Sequence, residues 1–183
     1  RRTRDTSGDN LCSMTVSHIE GEIIATLVVG SDGSTTKDGS SRGVSSSADR
    51  TRFLARRRSV DAILIGGNTA RTEPYHKTPV PVVVVSTSMA NALADNRQAY
   101  WWSASPSVAI ERARRLFGPT ILIEAGQSII FELISLNMID RLELSVTPVT
   151  GGEDRVDVKE LLSHFTSVSS ESEGETVFYT ATR

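Results

Sequence analysis

Short apolar runs rich in β-branched residues recur along the chain and alternate with segments that carry helix signals. Strands buried on both faces of a parallel sheet have such near-continuous apolar stretches, because helices cover both faces. The pattern predicts five strands bounded by Gly, Pro, Ser or Asp: Ile23–Val29, Ala62–Ile65, Val80–Val85, Thr120–Ile123 and Leu142–Val146.

The clearest helix signal surrounds Val108–Phe117. Ser105 precedes it as an N-cap, Pro106 occupies a first-turn position, and Gly118 follows its end. Each of these residue types is favoured at the position it holds, since Ser caps free N–H groups, Pro needs no donor there and Gly ends a helix readily. The segment is therefore predicted to be helical.

The segment Ala48–Arg58 predicts a second helix, with Asp49 in its first turn and Phe53 and Leu54 directed inward. A run of basic residues on a helix is typical of a solvated face rather than of a nucleic acid surface. We expect solvent exposure for the five arginines of this segment, which are Arg50, Arg52, Arg56, Arg57 and Arg58.

The last third of the chain predicts one more helix and a hairpin. Ser128–Met138 is apolar nearly all round, which is typical of a helix packed inside a domain or against a partner subunit. Thr166–Ser170 and Thr176–Thr180, separated by Glu173-Gly174, predict an antiparallel hairpin. Strands that alternate with helices and end in a hairpin indicate an α/β fold with a mostly parallel central sheet.

Length and composition restrict the classes of function. The 183 residues, 38% of them hydrophobic, suit a single domain over residues 1–183. Twenty basic against 22 acidic side chains give no positive field for nucleic acid. No apolar run reaches the roughly 18 residues that cross a bilayer, and the sole cysteine, Cys12, fits a reducing compartment. We expect a cytoplasmic protein without nucleic acid or membrane partners, and residues 1 to about 18 as a flexible or trimmed leader.

Candidate chemistry lies where the predicted strands end, because ligands of open α/β sheets bind beyond the carboxyl ends of the strands. Gly30-Ser31-Asp32-Gly33 places a carboxylate in a tight turn, although a turn-forming Asp explains it equally well. Gly66-Gly67-Asn68-Thr69 and Glu124–Ser128 place small residues before helices, where backbone amides can hold a phosphate. The alternative for both is a close-packed turn. Pro148–Gly152 is more typical of a plain loop.

Other kinds of site are disfavoured by the residues present. His18-Ile19-Glu20 has the spacing of a zinc deaminase, but the P-C-x-x-C partner is absent and Cys12 is the only thiol. His76 and His164 lack a neighbour at metal-binding spacing, and no G-x-S-x-G elbow occurs. We therefore expect no metal.

Two ordered blocks resemble the reductase domain of riboflavin biosynthesis and its stand-alone pyrimidine-reductase relatives. The first runs from Ser31-Asp32-Gly33 to Thr69–Tyr75, and the second from Ile121–Gly126 to Pro148–Gly152. The resemblance implies a dihydrofolate-reductase-like three-layer α/β/α fold, NADPH as cofactor and a homodimer. It also implies reduction of the ribose of 5-amino-6-(5-phosphoribosylamino)uracil, a small phosphorylated substrate.

The resemblance assigns roles to individual positions. Asp32 matches the acidic residue near the nicotinamide and is the predicted catalytic residue. The implied substrate-binding residues are Ser31, Arg42, Arg71 and Glu73. The implied cofactor-binding residues are Gly66, Gly67, Asn68, Thr69, Ser86, Thr87, Glu124, Ala125, Gly126, Gln127 and Ser128.

Two positions depart from the family pattern. Gly30 stands where the family usually has Ser, and Ala125 stands where it usually has Gly. The alternatives are therefore a reductase of the same fold for a pterin or dihydrofolate, and an inactive nucleotide-binding dimer. A zinc deaminase module often accompanies this reductase, but the sequence lacks the thiolates of such a module. We therefore expect a separate deaminase protein to supply the deamination step.

Overall fold

The computed structural model describes residues 20–183, in which strands and helices alternate as expected. The strands are β1 (Ile23–Gly30), β2 (Ser34–Thr36), β3 (Ala62–Gly66), β4 (Val82–Val85), β5 (Ala99–Trp102), β6 (Ile121–Ile123), β7 (Arg141–Thr147), β8 (Glu153–Arg155), β9 (Ser167–Glu173) and β10 (Thr176–Thr182). The helices are α1 (Ser47–Arg57), α2 (Gly67–Thr72), α3 (Pro106–Phe117), α4 (Gln127–Ser135) and α5 (Val158–Ser163). Predictions about Cys12, His18 and a leader concern residues outside this range.

Eight strands form one sheet in the order β5-β4-β3-β6-β1-β7-β10-β9. The six strands from β5 to β7 are parallel, whereas β10 pairs antiparallel with β7 and with β9. The predicted mostly parallel sheet and terminal hairpin are confirmed. All five predicted strands are present, with ends shifted by one or two residues.

Three strands and one short helix were not predicted. β5 is a sheet edge in which Tyr100 is exposed, so its sequence lacks the continuous apolar character of the inner strands. β2 and β8 are three residues long, polar, and pair only with each other. We call this pair the β2–β8 ribbon. α5 is a six-residue helix that begins at the N-cap Asp157.

The two faces of the sheet bury separate apolar cores. Side chains such as Ala25 and Leu64 contact α3 and α4 on one face. Ile24, Ile63 and Ile65 pack on the other face with Ala70 of α2. Because neighbouring strand residues point to opposite faces, the apolar runs seen in the sequence supply both cores. The result is a three-layer arrangement of helices around the sheet.

The helix α1 packs against the sheet through arginines, and the prediction of a solvated basic face is wrong for four of the five, including the half-buried Arg50. Arg57 is 7% exposed. Arg56 is half-buried, and its Nη1 donates to Thr26 Oγ1 at 2.8 Å. Arg52 lies 3.7 Å from the centre of the Phe178 ring and pairs with Glu171. The sheet face below α1 is polar here, which favours guanidinium groups over aliphatic side chains. Arg58 is exposed, as predicted.

The helix α4 ends three residues before the predicted Met138. Asn137 has φ = 55°, a left-handed conformation that stops an α-helix and that Asn tolerates better than most residues. Leu136 is consequently exposed beyond the last helical turn. Among residues 20–183, no helix is long and apolar enough to cross a membrane.

Candidate functional site

Two adjoining pockets open at the carboxyl ends of β3 and β6. The helices that follow these strands, α2 and α4, pack on opposite faces of the sheet, which leaves a crevice between them. The larger cavity has a volume of about 620 Å³ and the smaller pocket about 320 Å³. They share four lining residues, Asn68, Thr69, Gly126 and Ser128. The two pockets therefore lie side by side.

The smaller pocket is formed by the two predicted glycine turns. A side chain at position 67 would put its Cβ 2.6 Å from the Ser86 hydroxyl, so only glycine lets Ser86 come this close. A Cβ on Gly126 would meet no heavy atom within 4 Å and would project into open space. Neither α2 nor α4 is capped by a side chain at its start. The first amides of α4 are thus available to an anion.

The eleven residues predicted to bind the cofactor all line one or both pockets. Ala125, one of the two departures from the family pattern, is 6% exposed and packs in the apolar core. A Cβ on the other departure, Gly30, would lie 2.4 Å from the backbone oxygen of Val149 and 2.8 Å from Ser34 Oγ. The carbonyl and the hydroxyl thus occupy the space that a side chain at position 30 would need.

The wall of the larger cavity contains a buried ion pair between Arg57 and Glu124. Arg57 Nε donates to Glu124 Oε1 at 2.9 Å, and Nη2 donates to Oε2 at 2.6 Å. The Tyr75 hydroxyl donates to the same Oε2 at 2.5 Å. Burial and then the Glu124 charge raise the pKa of Tyr75 well above its ordinary value, so the hydroxyl stays protonated. Glu124 therefore lines the cavity with its carboxylate already bound.

Aromatic rings flank the guanidinium of Arg57. The ring of Phe53 lies 4.3 Å away and the ring of Tyr75 lies 4.7 Å away. The guanidinium of Arg50, which also lines the cavity, lies 5.3 Å from the Phe53 ring. In residues 20–183, no acidic side chain pairs with Arg50 within 4.0 Å. The charge of the Arg57 guanidinium is thus balanced by Glu124, whereas the Arg50 guanidinium is available to a ligand.

Sequence reasoning did not assign Asp49, Arg50, Phe53, Arg57 or Tyr75 to the site. The first four lie on α1, where Phe53 follows Asp49 by four residues and Arg50 by three, and Arg57 follows Phe53 by four, which places them on one helix face. That periodicity was the signal that could have found them. It was outweighed by the general expectation that arginines on a helix face solvent.

The predicted catalytic residue, Asp32, lies outside both pockets. Its Oδ1 accepts from the Ser34 hydroxyl at 2.7 Å, and its Oδ2 accepts from Gly151 N at 2.8 Å and Arg155 Nη2 at 3.1 Å. The hydrogen bonds from Ser34 and Gly151, with a smaller contribution from Arg155, hold the pKa of Asp32 far below its usual value. This arrangement ties the turn after β1 to the segment before and within β8, and it does not favour Asp32 as a proton donor.

The predicted substrate-binding residues are divided among three places. Ser31 and Arg42 are exposed and line neither pocket. Arg71 lines the smaller pocket beside Ser86, where Nη2 donates to Asn68 Oδ1 at 2.6 Å. Only Glu73 lines the larger cavity, and its Oε1 accepts from Ser41 N at 2.8 Å. The structure therefore moves Arg71 to the predicted cofactor side and leaves Ser31 and Arg42 outside.

The β2–β8 ribbon covers the larger cavity, which Thr35, Thr36 and Asp154 line from this side. The register pairs Ser34 with Arg155, and these are also the side chains that bind Asp32. Asp32 thus holds the ribbon over the cavity. Within residues 20–183, no group of three or more His, Cys, Asp or Glu side chains could hold a metal ion.

Comparison with known proteins identifies the fold. Residues 22–179 match the family model of the RibD C-terminal domain. A pyrimidine reductase-like protein from Corynebacterium diphtheriae superposes with a TM-score of 0.65 at 20% identity, over 90% of this chain and 92% of that one. No curated protein matches the sequence.

Two longer structures are also similar. One is a diaminohydroxyphosphoribosylaminopyrimidine deaminase/5-amino-6-(5-phosphoribosylamino)uracil reductase from Thermotoga maritima, with a TM-score of 0.63, 14% identity and coverage of 89% of this chain. The other is RibD from Acinetobacter baumannii, with a TM-score of 0.64, 13% identity and coverage of 91%. The chain spans 57% and 59% of these two proteins. The shared fold is the dihydrofolate-reductase-like α/β fold that the sequence predicts.

Proposed function

Because the chain belongs to the RibD C-terminal domain family, we propose that it is an NADPH-dependent reductase whose substrate is a phosphorylated ribosylaminouracil. The observation that carries the proposal is that the two pockets adjoin and share the lining residues Asn68, Thr69, Gly126 and Ser128. Hydride transfer requires the nicotinamide and the substrate to meet within van der Waals contact, since the reacting atoms must approach closely. Adjoining pockets that share these lining residues allow the two molecules to approach each other in this way.

The smaller pocket fits a dinucleotide. Backbone amides at the start of α4 would bind the pyrophosphate, and the open space at Gly126 would admit it. Arg71, Ser86 and Thr87 would bind the 2′-phosphate of NADPH, because a guanidinium next to hydroxyls is suited to a phosphate. When bound, NADPH supplies the hydride. The residues of this pocket hold and orient it.

The larger cavity fits a small phosphorylated substrate. Its volume of about 620 Å³ lies in the ordinary range for ligand sites. Arg50 would bind the substrate phosphate, because its guanidinium lines the cavity without an ion-pair partner in the described chain. Arg57 would add the N–H groups of Nη1, since only its Nε and Nη2 bind Glu124. These two arginines take the role that the sequence assigned to Arg42 and Arg71.

The proposal extends to assembly. We propose a homodimer, and we propose that deamination of the pyrimidine is carried out by a separate protein. Light scattering of the purified protein tests the first statement. Assays with and without an added pyrimidine deaminase, supplied with the aminated precursor, test the second.

Titration with NADPH and NADH, followed by assays with separate substrates, tests the function. The expected result is tighter binding of NADPH and oxidation of NADPH only when the ribosylaminouracil phosphate is added. Oxidation with dihydrofolate instead would support the alternative substrate class. Binding without turnover would support the inactive dimer, and failure to bind either dinucleotide would overturn the reductase proposal.

A further inference from the structure

Four carboxylates line the larger cavity, and three of them are occupied or exposed. Glu124 is bound by Arg57 and Tyr75. Glu73 accepts from Ser40 and Ser41. Asp154 is exposed on the ribbon. The remaining one is Asp49.

Asp49 combines burial with a free oxygen. The residue is 7% exposed, and its Oδ2 accepts from the Ser45 hydroxyl at 2.5 Å. Its Oδ1 accepts no hydrogen bond from the described residues and keeps exposed surface, so its partner can come from the cavity. A carboxylate in such a poorly solvated place attracts a donor or a cation more strongly than one at the surface does. A ligand that displaces water from the cavity would meet this oxygen.

We infer that Asp49 is a catalytic residue whose carboxylate binds a protonated C=N nitrogen of the substrate. The inference rests on the proposed function, because it assumes that the cavity holds the group being reduced. In that reaction the opened sugar is joined to the amine nitrogen by a C=N bond, which takes one proton from solvent to become C=N–H⁺. The Asp49 carboxylate accepts the hydrogen bond from this N–H and balances its charge.

Atoms and charges balance in the reduction of the C=N bond. A hydride from the reduced nicotinamide forms a new C–H bond at the carbon. The π pair of the C=N bond moves to nitrogen, which becomes a neutral amine, and the nicotinamide is oxidised. The Asp49 charge favours the protonated nitrogen, which is the better hydride acceptor, and a buried site makes this attraction stronger than it would be in water.

The position of Asp49 also suits a negative charge. It lies in the first turn of α1, where the helix dipole favours an anion, and its backbone N–H donates to Ser46 Oγ at 3.2 Å. Asp32 does not offer the same chemistry, because both of its oxygens are bound outside the pockets. The catalytic carboxylate predicted on the β1 turn is thus replaced by one on α1.

The test compares the wild-type protein with Asp49→Asn and with Glu111→Gln as the matched control, since Glu111 is exposed on α3 and lines neither pocket. Asn keeps the size of Asp49 and can still accept from Ser45, so NADPH affinity, which reports the folded site, should remain at the wild-type value. The expected result for Asp49→Asn is a fall in kcat of ~10²–10³ with little change in the KM of the phosphorylated substrate. Glu111→Gln loses the same charge outside the site and should retain wild-type kcat.

A second readout does not need turnover. Calorimetry measures binding of 2,4-diaminopyrimidine, a protonated heterocycle without a reducible chain, to each protein. Wild type and Glu111→Gln should bind it, and Asp49→Asn should bind at least tenfold more weakly, about the loss of one charge-assisted hydrogen bond. If Asp49→Asn loses NADPH binding, kcat and diaminopyrimidine binding are measured again with an Asp49→Ser variant.

The outcomes separate the two proposals. Unchanged kcat in Asp49→Asn, with turnover in the wild type, overturns the role of Asp49 and leaves the reductase intact. Absence of turnover in the wild type overturns the proposed function, whereas loss of diaminopyrimidine binding in Asp49→Asn still supports Asp49 as the counter-charge. A wild-type protein that does not bind diaminopyrimidine, or equal binding by both, overturns Asp49 as a cation site.

Discussion

Replacing Arg57 by Met isolates the contribution of the buried ion pair to stability. The change removes the guanidinium that donates to both oxygens of Glu124 and leaves that carboxylate, 6% exposed, with the Tyr75 hydroxyl as its hydrogen-bond donor. Met is an unbranched side chain of similar length, so its thioether replaces the guanidinium between the rings of Phe53 and Tyr75 with an apolar group. The loss therefore reports mainly the unpaired charge.

The expected magnitude follows from the burial of both partners. Removing one member of a buried pair costs about 3–5 kcal/mol, because the other charge stays in a poorly solvated place. The two side chains here are only 8% and 2% exposed, so screening by water is small. A loss of this size is a large fraction of the stability of an ordinary domain. The double variant with Glu124→Gln should recover part of it, since no uncompensated charge remains.

Urea denaturation followed by tryptophan fluorescence measures the free energy of unfolding. The matched control is Arg58→Met, which removes a guanidinium from the next, exposed residue and should change stability by less than about 0.5 kcal/mol. If Arg57→Met unfolds at the same urea concentration as Arg58→Met, the ion pair does not stabilise the fold. If the double variant is no more stable than the single one, the unpaired charge is not the cause of the loss.

Three further changes test other parts of the site. Arg71→Gln should weaken NADPH binding by about 10- to 150-fold and leave NADH binding unchanged; equal loss for both dinucleotides in titrations would contradict a 2′-phosphate contact. Arg50→Ala should raise the KM of the phosphorylated substrate by a similar factor, with no effect on a dephosphorylated analogue, whereas Arg42→Ala should leave the kinetics unchanged. Asp32→Asn should keep kcat near the wild-type value, and a large fall in turnover would restore Asp32 as the proton-handling group. Folding lowers the pKa of Asp32, so its carboxylate stabilises the wild type at pH values above its ordinary pKa of about 4. This contribution is lost as the pH falls, and the free energy of unfolding should therefore depend less on acid pH in Asp32→Asn.

The parts of the molecule that sequence could predict are those set by local pattern. The strand Ala62–Gly66 is apolar throughout because helices cover both of its faces. The turns at Gly66 and Gly126 follow such strands, so their place at the carboxyl edge was predictable from the order of elements. The small polar residues there then marked the predicted cofactor pocket.

The features that sequence could not predict concern side chains whose partners are distant in the chain. Asp32 is bound by Arg155, which is 123 residues away, and only the folded ribbon brings them together. Arg57 is buried because Glu124, 67 residues away, lies opposite it. A basic helix whose acidic partners are remote has the same local pattern as a solvated one. Sequence alone therefore could not show which charged residues of the fold bind one another.

The β2–β8 ribbon over the larger cavity and the glycine turns of the smaller pocket are under different evolutionary constraints. The ribbon stands outside the main sheet, its β8 residues are exposed, and each strand has only three residues. Insertions or replacements in such surface segments are tolerated far better than changes in a buried strand. The glycine turns of the smaller pocket, in contrast, follow inner strands of the sheet. Descendants of this fold can therefore exchange the cover of the larger cavity, and with it the molecule they accept, while they inherit the smaller pocket unchanged.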